Sequence, residues 1–394
     1  MAVQQQTSLR GRYAIAGIGE TELGKLPGRS TLSLHLEAMK SALADAGLTN
    51  QDVDGLLTNQ PMHDPMRCYA AQVAHAAGIT PTYATDLAMG GATPVAMAQH
   101  AAMAISAGLC KTVMCVHARN QASKHLLPHR ADEVRNGTED FKQPYGLLGA
   151  IAEHAFLASR HMYEFGTTSE QLGAVAVAFR KHACANASAT MHKPITIEDH
   201  QNSRWIVEPL RLLDCALVSD GGGAFIVTSA ERARDLAQRP AYILGMGSHV
   251  PMSNHAEAET LTTLGGKRSS QMAYDMAGLS PKDMDFAEIY DCFTITVVIT
   301  LEDYGFCPKG EGGRGVQDGR IEMGGELPVN THGGLLSQAH IEGMLHVTEA
   351  VKQLRGGVVE PERQVPGARV GIVSGHGADG NTHASLILSN EVAA

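Results

Sequence analysis

The sequence is poor in the features of nucleic-acid-binding and membrane-spanning proteins. Aromatic residues make up only 5% of the 394 residues, which argues against a pocket built on ring stacking. The net charge is −10 and no basic run offers a track for phosphates, so we expect no nucleic acid as a partner. No apolar run reaches the roughly 18 residues that cross a bilayer. The sequence therefore predicts a chain without a membrane span.

Cysteine, histidine and glycine also lack the spacings of cofactor-binding motifs. The seven cysteines include no CxxC pair, and this odd, unpatterned set indicates reduced thiols and a cytoplasmic location. The cysteines and the 19 histidines are scattered, so the sequence predicts no metal site. There is no Walker loop, and Gly17-Ile-Gly19 lacks the third glycine of a dinucleotide-binding fingerprint. We therefore expect no bound cofactor.

An internal repeat is the most informative feature that is present. The segment Ala46–Asp54 returns in similar form as Ala277–Asp285. Each copy follows an alanine-rich amphipathic helix, and each leads into a short strand-like run, Gly55–Thr58 and Phe286–Tyr290. Such a helix exit is common, so a single match can be a coincidence. A second pair of matching helix ends, in the same order along the chain, favours a true repeat.

The repeat predicts the fold class. Two strand–helix–strand–helix–strand units, at about 20–130 and 240–394, indicate an α/β protein whose helices cover parallel or mixed sheets. The segment between them, roughly 120–235, is helical and richer in charge. Within it, Thr168-Ser-Glu-Gln171 forms a capping box before a predicted helix, Leu172–His182. A helical insertion at one end of a duplicated core is expected to be a lid or binding domain.

Several sequence blocks resemble the thiolase superfamily. Asn330–His340 is similar to the family's Asn-x-x-Gly-Gly…Gly-His-Pro block, with His340 on the catalytic histidine. The block departs from the family at Ala339, where glycine is usual, and at Ile341, where proline is usual.

The other blocks resemble the sterol-carrier-type (lipid-transfer-protein) branch of that superfamily. Glu288–Phe293 occupies the place of the Asn-Glu-Ala-Phe block of ordinary thiolases, which is His-Asp-Cys-Phe in this branch. Pro209–Cys215, Ser219–Gly221 and the glycine-rich Ser374–Gly380 are also similar to it. The blocks stand in the family's order, and the resemblance runs from about residue 12 to 390.

This resemblance implies a duplicated thiolase fold, five-layered (αβαβα), with an inserted helical loop domain. We expect an N-terminal half at 1–120 plus 215–235, a loop or lid insertion at 121–214, and a C-terminal half at 236–394. The resemblance also implies a homodimer. The resemblance further implies a partner protein, a small protein with an OB-fold and a zinc ribbon. We therefore expect such a partner here, in a heterotetramer.

The thiolase nucleophile is missing. Thiolases carry a cysteine at the start of the helix that here ends at Ala107-Gly108, and counting back places Gly91 at that position. The repeat offset of 249 between Gly108 and Gly357 maps Gly91 onto His340, as expected for two helix N-termini that face one substrate. Because glycine has no side chain, it cannot form an acyl-enzyme. The backbone N–H groups at this helix start can still hold a thioester oxyanion.

The remaining residues suit enolate chemistry. Tyr290 stands where relatives have Asn or His, which resembles the thiolase-like retro-aldolases of steroid side-chain degradation. In those enzymes a tyrosine at this position is thought to handle the β-hydroxyl proton, and a tyrosine also stands where this chain has His340. The sequence leaves open which of Tyr290 and His340 is the base, and we expect both to act together. Cys292 is the candidate acid for the enolate carbon, although buried free cysteines are usually inert packing.

Further residues of these blocks are candidates for positioning the substrate. Asn330 is expected to hold a water or the thioester oxygen, Asp291 to orient its neighbours, and His376 to lie near the site. The Gly377 backbone is a candidate second oxyanion donor beside Gly91. A structural role is the alternative for each of them, and for Tyr290 as a core tyrosine.

Three functions fit these residues. The favoured one is a retro-aldolase that cleaves the Cα–Cβ bond of a β-hydroxyacyl-CoA, with steroid and aromatic acids as candidate acyl groups. The second is a β-ketoacyl-CoA thiolase or acyltransferase that uses another thiol, such as Cys292. The third is a non-catalytic acyl-CoA or lipid carrier. A coenzyme A thioester is the expected substrate of both enzymes.

Overall fold

The computed structural model describes residues 9–61, 66–124, 143–147, 149–251, 255, 258–377 and 382–392. Residues 378–380 of the C-terminal glycine-rich block, and much of the insertion before residue 149, lie outside the described residues. The strands are β1 Tyr13–Glu20, β2 Gly55–Thr58, β3 Tyr83–Asp86, β4 Thr112–Asn120, β5 Trp205–Val207, β6 Leu210–Arg211, β7 Asp220–Ser229, β8 Ala241–His249, β9 Phe286–Glu288, β10 Val370–Gly377 and β11 Thr382–Ser389.

The helices alternate with these strands. In chain order they are α1 Thr31–Ala46, α2 Tyr69–Ala77, α3 Thr93–Ser106, α4 Gln121–Lys124, α5 Gly149–Phe165, α6 Ser169–Cys184, α7 Ile197–Asn202, α8 Ala230–Arg234, α9 Gly266–Ala277, α10 Thr294–Asp303, α11 Gly312–Gly315, α12 Gly334–Ser337 and α13 Met344–Arg355. No helix in the described part of the chain is long and apolar enough to cross a membrane.

Nine strands form one sheet in the order β3-β2-β4-β7-β1-β8-β11-β10-β9. In its first half, β2 pairs in parallel with β3 and β4, while β7 is antiparallel to β4 and β1. In its second half, β9 is parallel to β10, and β11 is antiparallel to β10 and β8. The two halves meet only briefly, where Ala14 and Ile15 of β1 face Tyr242 and Ala241 of β8. The sheet is therefore mixed, as the sequence predicts.

Helices lie in three layers around the two half-sheets. Helices α3 and α13 contact strands of both halves and carry the largest shared core, so they form the central layer. Helices α1 and α2 pack on the outer face of the first half, and α9 and α10 pack on the outer face of the second. The arrangement is the five-layer αβαβα order of the duplicated thiolase fold, which confirms the predicted fold class.

The internal repeat is visible in the structure. Gly47 and Gly278 end α1 and α9 in the left-handed conformation, which glycine adopts without strain. The two 3₁₀ turns that follow, Asn50–Asp52 and Pro281–Asp283, each begin with a capping box. The repeated sequence therefore encodes the same helix exit twice.

The paired glycines of β1 and β8 have a packing role. A Cβ added at Gly17 would lie 2.6 Å from the Ala42 carbonyl oxygen of α1, and one at Gly245 would overlap the Ala273 carbonyl of α9. In each half, the backbone of an outer helix therefore lies directly against the sheet. Any side chain larger than that of glycine at these strand positions would collide with the helix.

The insertion packs against the second half. Helix α6 begins at the predicted capping box, in which Thr168 accepts from the Gln171 N–H, and it contains the predicted helix 172–182. Helices α5 and α6 contribute to the outer core around α10. The chain then returns to the first half through β7.

Two strands of the nine-stranded sheet, as well as the short strands β5 and β6, escape the sequence prediction. The edge strand β3 and the last strand β11 are present in the structure but have no counterpart in the predicted units. The predicted strand 286–290 ends at Glu288, so Tyr290 lies in the loop beyond β9.

Candidate active site

Tyr290 and His340 form a hydrogen-bonded pair at the centre of the molecule. The Tyr290 hydroxyl lies 3.2 Å from the His340 Nε2 atom. The His340 Nδ1 atom lies 3.2 Å from the Leu217 carbonyl oxygen, which can only accept, so Nδ1 carries the proton. Nε2 is therefore the free base of the ring and accepts from the Tyr290 hydroxyl.

Gly91 faces this pair, and its lack of a side chain is what admits the tyrosine. A Cβ added at Gly91 would overlap the Tyr290 ring and hydroxyl. The hydroxyl of Tyr290 therefore lies where a residue-91 side chain would begin. Gly91 and His340 both lie beside the Tyr290 hydroxyl, which contacts both residues. This agrees with the prediction that the two helix starts face one substrate.

The ring of Tyr290 stacks with two histidines. His346 and His376 lie at ring-centroid distances of 6.1 and 6.0 Å, and both rings are nearly parallel to that of Tyr290. The Tyr290 backbone N–H donates to the Ser374 hydroxyl at 2.9 Å. The two stacked rings and this backbone bond fix the direction of the hydroxyl, which pre-organises the pair.

Burial sets the protonation state of the pair. It raises the pKa of Tyr290 well above its ordinary value, with Cys292 and Glu342 adding to the effect. Burial, with help from the Arg119 charge, lowers the pKa of His340 to about 3, while Glu342 opposes the shift. At neutral pH the pair is therefore a neutral phenol that donates to a neutral imidazole.

A buried charged group adjoins the pair. The Arg119 guanidinium lies 3.3 Å from one carboxylate oxygen of Glu342, and the His117 Nε2 atom lies 3.5 Å from the other. Glu342 has a φ of 50°, a left-handed conformation that costs free energy for a non-glycine residue. These three side chains, with Gly90, line part of a cavity of about 280 Å³. The cavity offers space for part of a substrate beside Glu342 and Gly90.

A second cluster surrounds Cys292. Its sulfur lies 3.8 Å from the His154 Nε2 atom, which in turn lies 3.1 Å from the His376 Nε2 atom. The His154 Nδ1 atom donates to the Ala150 carbonyl at 2.7 Å, so its Nε2 atom presents a lone pair to the cluster. Burial lowers the pKa of His154 to about 4 and holds the pKa of His376 well below its usual value.

This cluster brings together two histidines and a cysteine that are scattered in the sequence. The ligand-type atoms of His154, Cys292 and His376 all lie within 4.8 Å of one another. They come from α5, from the loop after β9 and from β10, so linear spacing carries no sign of their proximity.

The side chain of Asn330 bonds to the backbone of a neighbouring loop. Its side-chain oxygen accepts from the Ile289 N–H at 2.6 Å, and its side-chain nitrogen donates to the Ile289 carbonyl at 2.7 Å. Both halves of the amide are thus committed to the backbone just before Tyr290. Asn330 holds this loop in place, and its contact with a water or the thioester oxygen stays a prediction.

Asp291 orients its neighbours, in line with its predicted role. Its carboxylate accepts from the N–H groups of Leu335 and Leu336, at 2.9 and 3.1 Å, and contacts His346 at 3.1 Å. The carboxylate therefore anchors the start of α12, in the block that carries His340.

The two segments predicted to donate to the thioester oxyanion, those around Gly91 and Gly377, lie against each other. A Cβ added at Gly375 would lie 2.7 Å from the Ala92 Cα atom, and one at Gly377 would overlap the Met89 carbonyl. The N–H groups of Ala92 and Thr93 are bonded to the carbonyls of Met89 and Gly90. The Gly91 and Gly377 N–H groups remain the candidates in this region.

Sequence analysis missed four residues of the site. These are His154, His117, Arg119 and Glu342. None of them stands in one of the sequence blocks that resemble the thiolases. Glu342 comes nearest, two positions after His340. A carboxylate so close to a catalytic histidine is the one signal in the sequence that could have been used.

Comparison with known proteins places the site among enzymes. The family described as thiolase C-terminal domain-like matches residues 247–390. The 17-hydroxy-3-oxo-4-pregnene-20-carboxyl-CoA lyase of Mycobacterium tuberculosis is 44% identical over 90% of this chain and 94% of its own. The steroid side-chain-cleaving aldolase of Thermomonospora curvata is 42% identical over 88% and 91%. A solved structure, the Ltp2-ChsH2(DUF35) aldolase, superposes with a TM-score of 0.89 at 40% identity and covers 97% of this chain and 99% of its own.

Proposed function

Because this chain belongs to the thiolase superfamily, among its thiolase-like aldolases, we propose that it is a lyase that cleaves the Cα–Cβ bond of a β-hydroxyacyl-CoA. One observation carries the proposal: the Tyr290 hydroxyl fills the place of the absent nucleophile and donates to the free Nε2 atom of His340. The site thus has the Tyr290–His340 proton acceptor where a thiolase has its thiol. No covalent intermediate forms at Gly91.

The first step removes the proton of the substrate β-hydroxyl. Tyr290 accepts this proton on its oxygen while its own proton passes to His340 Nε2, so neither phenolate nor alkoxide has to exist alone in a buried site. The Glu342 carboxylate favours the imidazolium that forms and so opposes the lowering of the His340 pKa by burial and by Arg119. Tyr290 is therefore the group that contacts the substrate, and His340 is the final proton acceptor.

Bond cleavage then produces a carbonyl compound and an enolate. The electrons of the Cα–Cβ bond pass to the thioester, whose oxygen becomes negative and is held by the Gly91 and Gly377 N–H groups. The Cys292 thiol protonates Cα to give the shorter acyl-CoA. The proton on His340 then passes through solvent to the Cys292 thiolate, which restores both residues. Overall, the β-hydroxyl loses one proton and Cα gains one.

The relatives' names support a steroid substrate. A 17-hydroxy-pregnene-20-carboxyl-CoA carries its hydroxyl on the carbon β to the thioester, which is the bonding pattern that this mechanism needs. We propose a bulky β-hydroxyacyl-CoA of this kind, whose carbonyl half leaves through the cavity beside Glu342.

A partner protein belongs to the proposal. The similar solved structure is named as a complex of an Ltp2 chain with a ChsH2(DUF35) chain. We propose that this chain forms a homodimer and binds a small partner with an OB-fold and a zinc ribbon, giving a heterotetramer. Co-expression with such a partner, followed by mass determination in solution, tests this assembly.

The activity is tested with two matched substrates. The protein and its partner are incubated with a β-hydroxyacyl-CoA and with the corresponding β-ketoacyl-CoA, each with and without free CoA. We expect the hydroxy substrate alone to release a carbonyl compound and a shorter acyl-CoA without added CoA. Cleavage of only the keto substrate, and only with free CoA, would instead identify a thiolase; binding without turnover would identify a carrier.

A further inference from the structure

The cluster around Cys292 has the chemistry and spacing of a soft-metal site. Two imidazole nitrogens and one thiol face one another, and these are the ligand types that Zn²⁺ prefers. Tetrahedral Zn²⁺, with bonds of about 2.0–2.1 Å to nitrogen and about 2.3 Å to sulfur, places two nitrogens roughly 3.3 Å apart and nitrogen and sulfur roughly 3.6 Å apart. The structure has 3.1 Å between the His154 and His376 Nε2 atoms, and 3.8 Å between His154 Nε2 and the Cys292 sulfur.

The ligands are also held in place before any metal binds. The Nδ1–H of His154 donates to the Ala150 carbonyl at 2.7 Å, the kind of second bond that aims the other ring nitrogen at a metal. His154 packs on the Phe293 ring at a centroid distance of 4.5 Å, and His376 packs on Tyr290 at 6.0 Å. Small shifts of side chains that are already aligned suffice to close the site.

We propose that His154, Cys292 and His376 form a Zn²⁺-binding site that shuts the enzyme off. Binding converts the Cys292 thiol to a thiolate and releases its proton to solvent, while the His376 proton moves from Nε2 to Nδ1. A fourth position is left for water. The bound ion displaces the thiol proton that the enolate carbon needs, and cleavage stops. This inhibition by Zn²⁺ rests on the proposed function, whereas the binding of Zn²⁺ does not.

Zn²⁺ binding is measured first, without any substrate. Competition with a chromophoric chelator, on metal-free protein at neutral pH, should give one tightly bound Zn²⁺ per chain and about one proton released, read with a pH indicator. Cd²⁺ should produce the ultraviolet thiolate-to-metal absorption. Cys292→Ser and His154→Gln should each weaken Zn²⁺ binding by about 100-fold or more, since even outer-shell partners are worth up to about 100-fold.

Matched variants separate the site from adventitious binding. Cys68→Ser removes an exposed thiol and should leave both affinity and activity unchanged. Tyr290→Phe should retain Zn²⁺ binding although it disables the proposed chemistry. Zn²⁺ should also raise the melting temperature of the wild type and of Cys68→Ser, but not that of folded Cys292→Ser.

Two results overturn the site: no saturable Zn²⁺ binding by the wild type, or equal binding by Cys292→Ser and His154→Gln. If Zn²⁺ binds but does not inhibit cleavage, the regulatory half of the proposal is wrong. If no aldol cleavage is found at all while Zn²⁺ binds as expected, the proposed function fails and the metal site stands.

Discussion

At the scale of single residues, the phenol of Tyr290 is the most exacting part of the site. Tyr290→Phe removes only one oxygen, and we expect kcat to fall by about 10²–10⁴-fold, the usual contribution of a positioned acid–base group. The free energy of unfolding should change by only about 0.5–1.5 kcal/mol, the net value of one hydrogen bond. Steady-state kinetics and urea unfolding measure the two quantities.

Tyr69→Phe is the matched control. Its hydroxyl is also buried and lies 3.4 Å from a histidine nitrogen, that of His35, but it belongs to the outer layer at α2. We expect a similar loss of stability with unchanged kcat. Equal kcat for the wild type and Tyr290→Phe would show that the tyrosine is a core residue and not the base.

Gly91→Ala tests the space that admits the tyrosine. The new methyl group would overlap the Tyr290 ring and hydroxyl, so the ring must move away from His340. We expect kcat to fall by at least about 100-fold, because a displacement near 1 Å is enough for such a loss. A loss of Tyr–His contact in a crystal structure of the variant would confirm the cause, and full activity would contradict it.

Sequence analysis found the reacting pair because both residues stand in blocks with a known pattern. It did not find His154, Arg119 or Glu342, which approach the pair from α5, from β4 and from the turn after His340. It also did not predict that Asn330 bonds to the Ile289 backbone, since an amide that joins two loops cannot be told from a substrate-binding amide by its neighbours in the chain. Which side chains meet is decided by the folding of distant segments.

At the scale of elements, the glycines of β1 and β8 decide how closely helices lie on the sheet. Gly17→Ala would place a methyl group 2.6 Å from the Ala42 carbonyl oxygen, so α1 must shift outward. We expect a loss of about 1–3 kcal/mol in the free energy of unfolding, the usual cost of overpacking. Chemical unfolding measures it.

Gly315→Ala provides the comparison for this change. A Cβ there meets only the Cys307 sulfur at 3.5 Å, which is ordinary contact, and Gly315 lies in the short helix α11. We expect no loss of stability, and a gain of up to about 1 kcal/mol because alanine favours helix. Equal losses in both variants would mean that close packing at Gly17 is not the cause.

The elements that the sequence predicts are those with strong local patterns. The capping box at Thr168 and the glycine exits at Gly47 and Gly278 mark helix boundaries directly. Strands β3 and β11 were missed for different reasons. Strand β3 lies at an edge and has no buried residue, and β11 is buried along its whole length, so neither shows the alternation of a half-buried strand.

At the scale of the whole molecule, buried neutral histidines predict lability to acid. Burial lowers the pKa of six of them to about 3 or 4: His35, His154, His182, His332, His340 and His383. Below their ordinary value of 6.5 the unfolded chain binds protons that the folded chain does not bind. Stability therefore falls as the pH falls from 6.5 toward 4.

The effect is large because it adds over several residues. Each histidine costs about 1.4 kcal/mol per pH unit in this range, and a typical protein has only about 5–15 kcal/mol of stability. We expect the melting temperature to drop steeply between pH 6.5 and 5, which calorimetry or circular dichroism can follow. A melting temperature that is flat across this range would show that these histidines are not buried neutral in solution.

The duplicated architecture was predictable from the sequence, since the repeat marks both halves and the family resemblance spans nearly the whole chain. The nine-stranded continuity of the sheet was not, because it depends on a brief pairing between Ala14 and Tyr242.

The overlap between residue 91 and Tyr290 also constrains how this chemistry can change in evolution. A cysteine restored at position 91 meets the tyrosine ring, and so it brings back no thiolase activity while Tyr290 is present. Only after Tyr290 has been exchanged for a smaller residue does the same mutation become useful. The two positions therefore show sign epistasis, and a lineage that has acquired the tyrosine is held in the aldolase state by the order in which its mutations would have to be undone.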